Sequence, residues 1–485
     1  MHFIDLSVFI LYMIVMLGVG FFFLRRNKNA DDYYVGGRSM GSLHVGMSVV
    51  ATDVGGGFSI GLGGLGFLMG IAGSWMLFTG LIGAWLAAVV LIPRVFEVLG
   101  KKKLFTFPQL FGHFFDKKTA LLAGIISAIG YVGFTASQLL AGAKLASASF
   151  IDLNLTTALI IMGVIAVVYT VMGGLKAVIY TDTIQWIILI SGLVFIGIPL
   201  GYKSIGGMEA IRETVSPDFL SLGNVTWQQL VNWAITIIPI WFVGMTLYQR
   251  IYATRGKKDA QKAWFIAGIF EWPIMAFMGV LLGLFSRVAL DQGMFAYMDY
   301  HTYSDMDAEM GLPLLLRTIL PVGLMGLMMS AYFSAIMSTA DSCLMAASGN
   351  LQTDVFGKYL NKSDDQKSLL RNSQILTLVI GVLALLLASA MENVLELMLY
   401  SYAFMVSGLF IPVLAAFFVK KANPHAAFWS MLTGGTVTLA LTACECPLPY
   451  GLDANIFGIL SSLLVFLVLH QFLPEKNTAP KMDWH

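Results

Sequence analysis

The chain has 485 residues, 58% hydrophobic and 12% charged, with a mean hydropathy of +0.79. These values exclude an ordinary soluble domain and indicate an all-α polytopic membrane protein embedded in a lipid bilayer. A formal net charge of +1 argues against nucleic-acid binding, and three cysteines are too few for a disulfide framework or a Cys-based metal site.

The first apolar run, near 4–24, is long enough to cross a bilayer. No basic segment precedes it and Arg25 and Arg26 follow it, so it reads as a retained helix rather than a cleaved signal. Run length and flanking charge predict about 13 transmembrane helices of roughly 17–30 residues. They fall near 4–24, 44–70, 74–99, 119–149, 155–172, 178–201, 228–249, 263–289, 312–348, 371–390, 393–419, 424–443 and 454–473. The 312–348 run exceeds one crossing, so it should tilt or extend into solvent.

The loops alternate in charge along this order. Lys101, Lys102, Lys103, Lys117, Lys118, then Arg250, Arg255, Lys257, Lys258 and Lys262, then Lys358, Lys362, Lys367 and Arg371 gather on one side. Asp291, Asp299, Asp305, Asp307 and Glu309 lie on the other. The positive-inside rule puts the N-terminus outside and the C-terminus in the cytoplasm. Short loops and the lack of a targeting segment favour a bacterial inner (plasma) membrane.

The second span carries Ala51-Thr52-Asp53-Val54-Gly55-Gly56-Gly57-Phe58. Three glycines beside an acid loosen a helix at about 1 kcal/mol each relative to alanine. Unwound backbone at membrane depth survives only where it lines a cavity or is buried in protein. The other reading is close packing of small residues. Five spans later, Pro239 and Gly244 flank Trp241 and Phe242 and mark a second break. Interrupted helices in corresponding positions of two halves point to a repeat with a midplane binding site.

Tyr131, Phe134 and Gln138 stand at i, i+3 and i+7 on one helical face. With Trp241, Phe242, Met245 and Tyr248 they can wall a pocket for a small organic solute, although such a stripe also serves ordinary packing. Asp182 suits either a helix N-cap or an ion site. Glu271 is an intramembrane acid, and Lys144 should snorkel outward near its helix end. Glu392 and Glu396 read as interfacial; His44 and His113 as solvated or at headgroup level.

Ser338, Asp341 and Ser342 stand at i, i+3 and i+4 inside the apolar 312–348 run, so a helix puts them on one face. An acid in hydrocarbon faces a cavity or a partner. Hydroxyls, a carboxylate and backbone carbonyls are hard oxygen ligands for a small hard cation. The plainer reading has the hydroxyls bonded to their own helix and Asp341 paired with a neighbour. No H-E-x-x-H, P-loop or G-x-S-x-G stands in a matching context, so an enzyme or an ATP-driven pump is disfavoured.

Three segments together resemble the sodium:solute symporter family: Asp31-Asp32-Tyr33-Tyr34-Val35-Gly36-Gly37-Arg38-Ser39, Tyr169 to Gln185 with its Gly173-Gly174 pair, and Ser334-Ala335-Ile336-Met337-Ser338-Thr339. They lie in order over roughly residues 30–360. The resemblance implies a LeuT-type core of two inverted five-helix repeats and sodium-driven uptake of a small organic solute by alternating access, with Na+ as the coupling ion. It implies an N-terminal segment 1–43, a first repeat over 44–201, an outer loop over 202–227, a second repeat over 228–421 and two further helices over 422–485. Its sodium site maps to Ala51, Val54, Ala335, Ser338 and Thr339. A second sodium site of some members maps to Asp182, Ser338, Asp341 and Ser342, with Asp341 replacing a Ser or Thr. Asp53 matches an acid of proline-transporting members, while Ala51 to Phe58, including Gly55 and Gly56, resembles choline-transporting ones. A proton-coupled transporter of the same fold, a channel and a membrane sensor are the competing readings.

Overall fold

The fold is given by a computed structural model that describes residues 2–24, 35–53, 55–100, 104–150, 153–172, 175–356, 366–444 and 447–473. Among them every regular element is helical, apart from an isolated bridge between Met40 and Thr254. Hydrocarbon offers backbone N–H and C=O groups no partner, so an apolar chain satisfies them inside helices. Seven helical stretches among the described residues are long and apolar enough to span a membrane, or up to eight if one bent pair counts as a span.

In chain order, α1 is Phe3–Leu24, α2 Ser42–Asp53, α3 Gly55–Met69, α4 Trp75–Leu86 and α5 Ile92–Leu99. Then come a short α6 (Pro108–Phe114), the long α7 (Lys117–Ser149), α8 (Leu155–Met172), α9 (Leu175–Gly192), α10 (Ile198–Ser204) and α11 (Gly207–Thr214). The second half runs through α12 (Trp227–Val243), α13 (Met245–Ala253), α14 (Lys257–Ile269), α15 (Ala276–Asp291), a short α16 (Gly311–Ile319) and α17 (Leu324–Asn350). It ends with α18 (Gln366–Ser389), α19 (Val394–Phe418), α20 (Pro424–Cys444) and α21 (Ala454–Phe472).

Two breaks organise the centre. Between α2 and α3 the chain passes Gly55 at φ +57°, a backbone region that glycine enters without strain. Between α12 and α13, Gly244 is extended (φ −67°, ψ 115°) and the helices bend by 44°. Pro239 lies inside α12, so the break falls at the glycine rather than at the proline. A third irregularity, Phe270–Met275 between α14 and α15, contains Trp272 at φ −138°, ψ 123° and carries Glu271.

The 312–348 run is not one tilted span. It divides into α16 and α17, with Leu320 extended and Gly323 at φ +88°. Pro321 lies in the connecting segment and cannot donate to a continuing helix. Lys144 does not snorkel either: its side chain is 1% exposed, 2.5 Å from Asp307 and 2.6 Å from Glu309. The segment before α16 folds inward and brings both acids to the lysine.

α7 packs against α17, α18 and α19; α2 lies against α9 and α14; α12 contacts α4 and α19. α3 and α15 approach closely, because a methyl on Gly283 would sit 2.0 Å from the Gly63 carbonyl oxygen. A cavity of about 1260 Å³ enters between α3, α12 and α19 on the side of the acidic 307–309 segment.

Candidate functional site

The site forms where the break after α2 meets the middle of α17. The Thr339 hydroxyl is 3.0 Å from both the Ala51 and the Ala335 carbonyl oxygens. The end of α2 leaves carbonyls without intrahelical donors, and one of them is thus turned toward a hydroxyl of a neighbouring helix. A methyl on Gly55 would sit 3.0 Å from Thr339 Oγ1. Gln138 of α7 completes this floor by accepting from the Gly57 N–H at 3.2 Å. Ala51, Ala335, Thr339, Gly55 and Gln138 are therefore gathered at one place; Val54 lies outside the described residues, and Gly56 continues α3.

Toward the opposite end from the cavity, Asp182 lies within α9 and not at its N-cap. It accepts from Ser48 at 2.5 Å and from Ser338. Arg250, which the hydropathy reading placed in a basic loop, is a fully buried member of α13. Its guanidinium donates to Asp182 at 3.4 Å, Ser342 at 3.3 Å, the Ser48 carbonyl at 3.1 Å, the Thr246 carbonyl at 3.2 Å and the Thr52 hydroxyl. One side chain thus ties α2, α9, α13 and α17 together below the break. Ser338 and Ser342 share the predicted face toward it. Asp341 instead faces Thr170 of α8, whose hydroxyl is given to the Ala166 carbonyl at 2.9 Å. Neither Asp341 oxygen receives a hydrogen bond among the described residues.

Among the predicted pocket residues, Tyr131 and Phe134 stack with ring centres 6.4 Å apart, and Phe134 meets Tyr402 edge-on at 5.0 Å. The Tyr131 hydroxyl accepts from the Thr246 N–H at 3.0 Å, closing α7 onto α13. Trp241 is buried against Gly83 and lies 6.3 Å from Trp264, while Phe242 meets Phe410 at 5.8 Å. Met245 and Tyr248 turn toward Phe107: Met245 Sδ accepts its N–H at 3.1 Å, and the Tyr248 ring lies 4.6 Å from the Phe107 ring. These two therefore pack the closed end, away from the cavity.

The sequence reading overlooked Tyr402 and left Glu271, an intramembrane acid, without a partner. Tyr402 donates to the Asp53 carbonyl at 3.3 Å and to its carboxylate at 3.4 Å. Glu271, completely buried, is the side-chain neighbour of Asp53. Arg250 was legible in principle, since Ile251-Tyr252-Ala253 continue the apolar helix beyond it.

Residues 33–434 match the profile of the Sodium:solute symporter family. The "High-affinity proline transporter PutP" of Bacillus subtilis (strain 168) is 27% identical over 438 residues, covering 87% of this chain and 89% of that protein. The "Sodium/proline symporter" of Escherichia coli (strain K12) is 28% identical, covering 90% of this chain and 87% of that protein. "Sodium/glucose cotransporter 1" of Sus scrofa is 26% identical, covering 91% and 72%. In fold, the chain is similar to a substrate-bound, outward-open Na+-coupled sialic acid symporter, with TM-score 0.79, 22% identity and coverage of 98% and 99%. The match across most of its length shows that the chain belongs to the sodium:solute symporter family and couples solute movement to sodium by symport.

Proposed function

We propose that sodium binds at the break of α2, held by the carbonyls of Ala51, Val54 and Ala335 and the hydroxyls of Ser338 and Thr339. The observation that carries this reading is Thr339 reaching the Ala51 and Ala335 carbonyls at 3.0 Å each. Neutral hard oxygens from two helices suit a small monovalent cation. Sodium there fastens α2 to α17 and pre-orders the adjoining pocket, so ion and solute raise each other's affinity reciprocally, typically by about 1–3 kcal/mol. A sodium titration of melting temperature with purified Thr339→Ala tests it. Loss of sodium stabilisation supports the site; an unchanged response overturns it.

A second sodium is proposed at Asp182, Ser338, Asp341 and Ser342. An ion there takes oxygens of Asp182 and Ser342 that Arg250 now holds, so guanidinium and ion compete. Sodium activation with an unchanged Hill slope in both Asp182→Ala and Asp341→Ala would remove this second site.

Alternating access is supported by the asymmetry of the site. The cavity opens on the acidic-loop side and is lined as far as Gly61, Thr236 and Ala403, whereas Arg250, Phe107 and Tyr248 are packed around the other side of the site. We place the cavity side outside the cell, the N-terminus outside and the C-terminus in the cytoplasm of a plasma-membrane protein with 13 spans, following the charge of the loops. Two inverted five-helix repeats are proposed from element order: a broken helix, a long interrupted helix, a short helix (α6 or α16) and three further helical segments recur from α2 and again from α12. The solute is a small organic molecule.

A further inference from the structure

The first helix contributes no ligand to the sodium site, yet it is fastened to the helix that carries Ser338 and Thr339. Much of α1 faces outward: Ile10, Leu11, Ile14 and Val15 are exposed. Asp5 and Met16 are buried, at 3% and 5% exposure. With Phe9 and Met13 they stand at i, i+4, i+8 and i+11, on one helical face. That face runs along the start of α17. Phe9 meets Phe333 edge-on at 5.4 Å, and the Ser334 hydroxyl approaches Met13 Sδ at 3.9 Å. α1 rests on α9 as well, the helix of Asp182.

Asp5 Oδ1 accepts the N–H groups of Gly323 at 2.7 Å and Gly326 at 2.9 Å. α17 cannot cap itself, because its N-cap residue is Gly323, which has no side chain to accept from the first turn. A carboxylate from another helix takes that role, and its negative charge stands at the positive end of the α17 dipole. The two backbones are close there: a methyl on Gly326 would lie 2.6 Å from both the Cα and the carbonyl oxygen of Asp5. α16 does not fix the start of α17, since the backbone is extended at Leu320 and turns to positive φ at Gly323.

From Leu324 to Asn350 α17 is one unbroken helix, so a displacement at its N-terminus carries along its length. Thr339 stands thirteen residues beyond Gly326, about 20 Å by helical rise. There its hydroxyl lies 3.0 Å from the Ala51 carbonyl across the break of α2. Oxygen contacts of this kind are made within a few tenths of an ångström, so a small axial shift of α17 undoes them.

We propose that Asp5 is a positioning residue of the sodium site. By capping α17 from α1 it sets the axial register at which Ala335 and Thr339 face the break of α2, and thereby sets sodium affinity. This goes beyond the sodium reading and rests on it.

Radioactive sodium binding to the purified full-length protein at a fixed temperature tests the role, with the melting temperature read on the same samples. Asp5→Ala should weaken sodium binding about five-fold or more, and Asp5→Asn, which keeps an acceptor oxygen and caps as well as Asp, should stay within about two-fold of the parent. Ser430→Ala serves as the reference for destabilisation alone, because it breaks the 2.7 Å hydroxyl pair with Ser462 between α20 and α21; its sodium affinity should be that of the parent. Asp5→Ala within two-fold of the parent, an Asn variant as weak as the Ala variant, or an equal loss in Ser430→Ala would each overturn the proposal. If Asp5→Ala is not recovered folded, Asp5→Ser replaces it. Its shorter side chain withdraws the oxygen and should weaken sodium binding about three-fold or more; a smaller effect overturns the role. Thr339→Ala is measured alongside. Parent-like sodium affinity in that variant would overturn the sodium site itself, whereas a loss there without a loss in Asp5→Ala would overturn the positioning role alone.

Discussion

Arg250 and Asp182 meet 3.4 Å apart with side chains 0% and 1% exposed, joining α13 to α9 beneath the break of α2. Removing one partner of a buried pair leaves an uncompensated charge and costs about 3–5 kcal/mol. Arg250→Gln and Asp182→Asn should each lower the melting temperature of the purified protein markedly. The double variant should recover part of the loss, since it strands no charge. Single variants that melt like the parent would show that the pair is not a structural clasp.

Thr339 offers a cleaner test of the ion site, because its hydroxyl is its only polar side-chain group. Thr339→Ser keeps the oxygen near the Ala51 and Ala335 carbonyls and should retain sodium stabilisation. Thr339→Ala should shift the sodium midpoint upward by about ten-fold, which corresponds to about 1.4 kcal/mol. Equal midpoints in Ala and Ser variants would exclude the hydroxyl as a ligand.

Glu309 performs two jobs at the cavity rim. One oxygen is 2.6 Å from the Lys144 ammonium and accepts the Val394 N–H at 2.8 Å, while the other accepts the Leu395 N–H at 2.9 Å. It thus neutralises a buried lysine and caps the N-terminus of α19. Glu309→Ala is expected to destabilise more than Lys144→Met, because the first strands two backbone donors and the second strands none. Thermal melts of the two variants decide this, and a reversed order would refute it.

Gly57 holds the floor of the site by having no side chain. An added methyl would lie 2.6 Å from Gln138 Oε1. Gly57→Ala should displace Gln138 and weaken solute-dependent stabilisation, while Gly57→Ala with Gln138→Ala should restore room. Solute titrations of both variants measure it; a Gly57→Ala protein with unaltered solute affinity would mean that Gln138 does not shape the pocket.

The membrane class, the helical content, the two breaks and the family were legible in the chain itself. Each is a local property: apolar runs force internally bonded helices, and Gly55 and Gly244 release the backbone where they stand. The Ser338-Thr339 segment was legible for the same reason, since helical spacing fixes which side chains share a face. Partnership was not. Lys144 reads as a snorkelling residue until the 307–309 segment folds over it, and Arg250 reads as a loop charge until four helices supply its acceptors. Asp53 and Glu271 are 218 positions apart in the sequence, and nothing local marks them as neighbours. Only helix packing sets the second acid beside the first, with Gly80 of α4 leaving room for Glu271. The sequence by itself determined that the chain is a set of apolar membrane helices and where two of them unwind; the tertiary structure decided which buried charges face one another, because contact between distant helices depends on the shapes of all the surfaces between them.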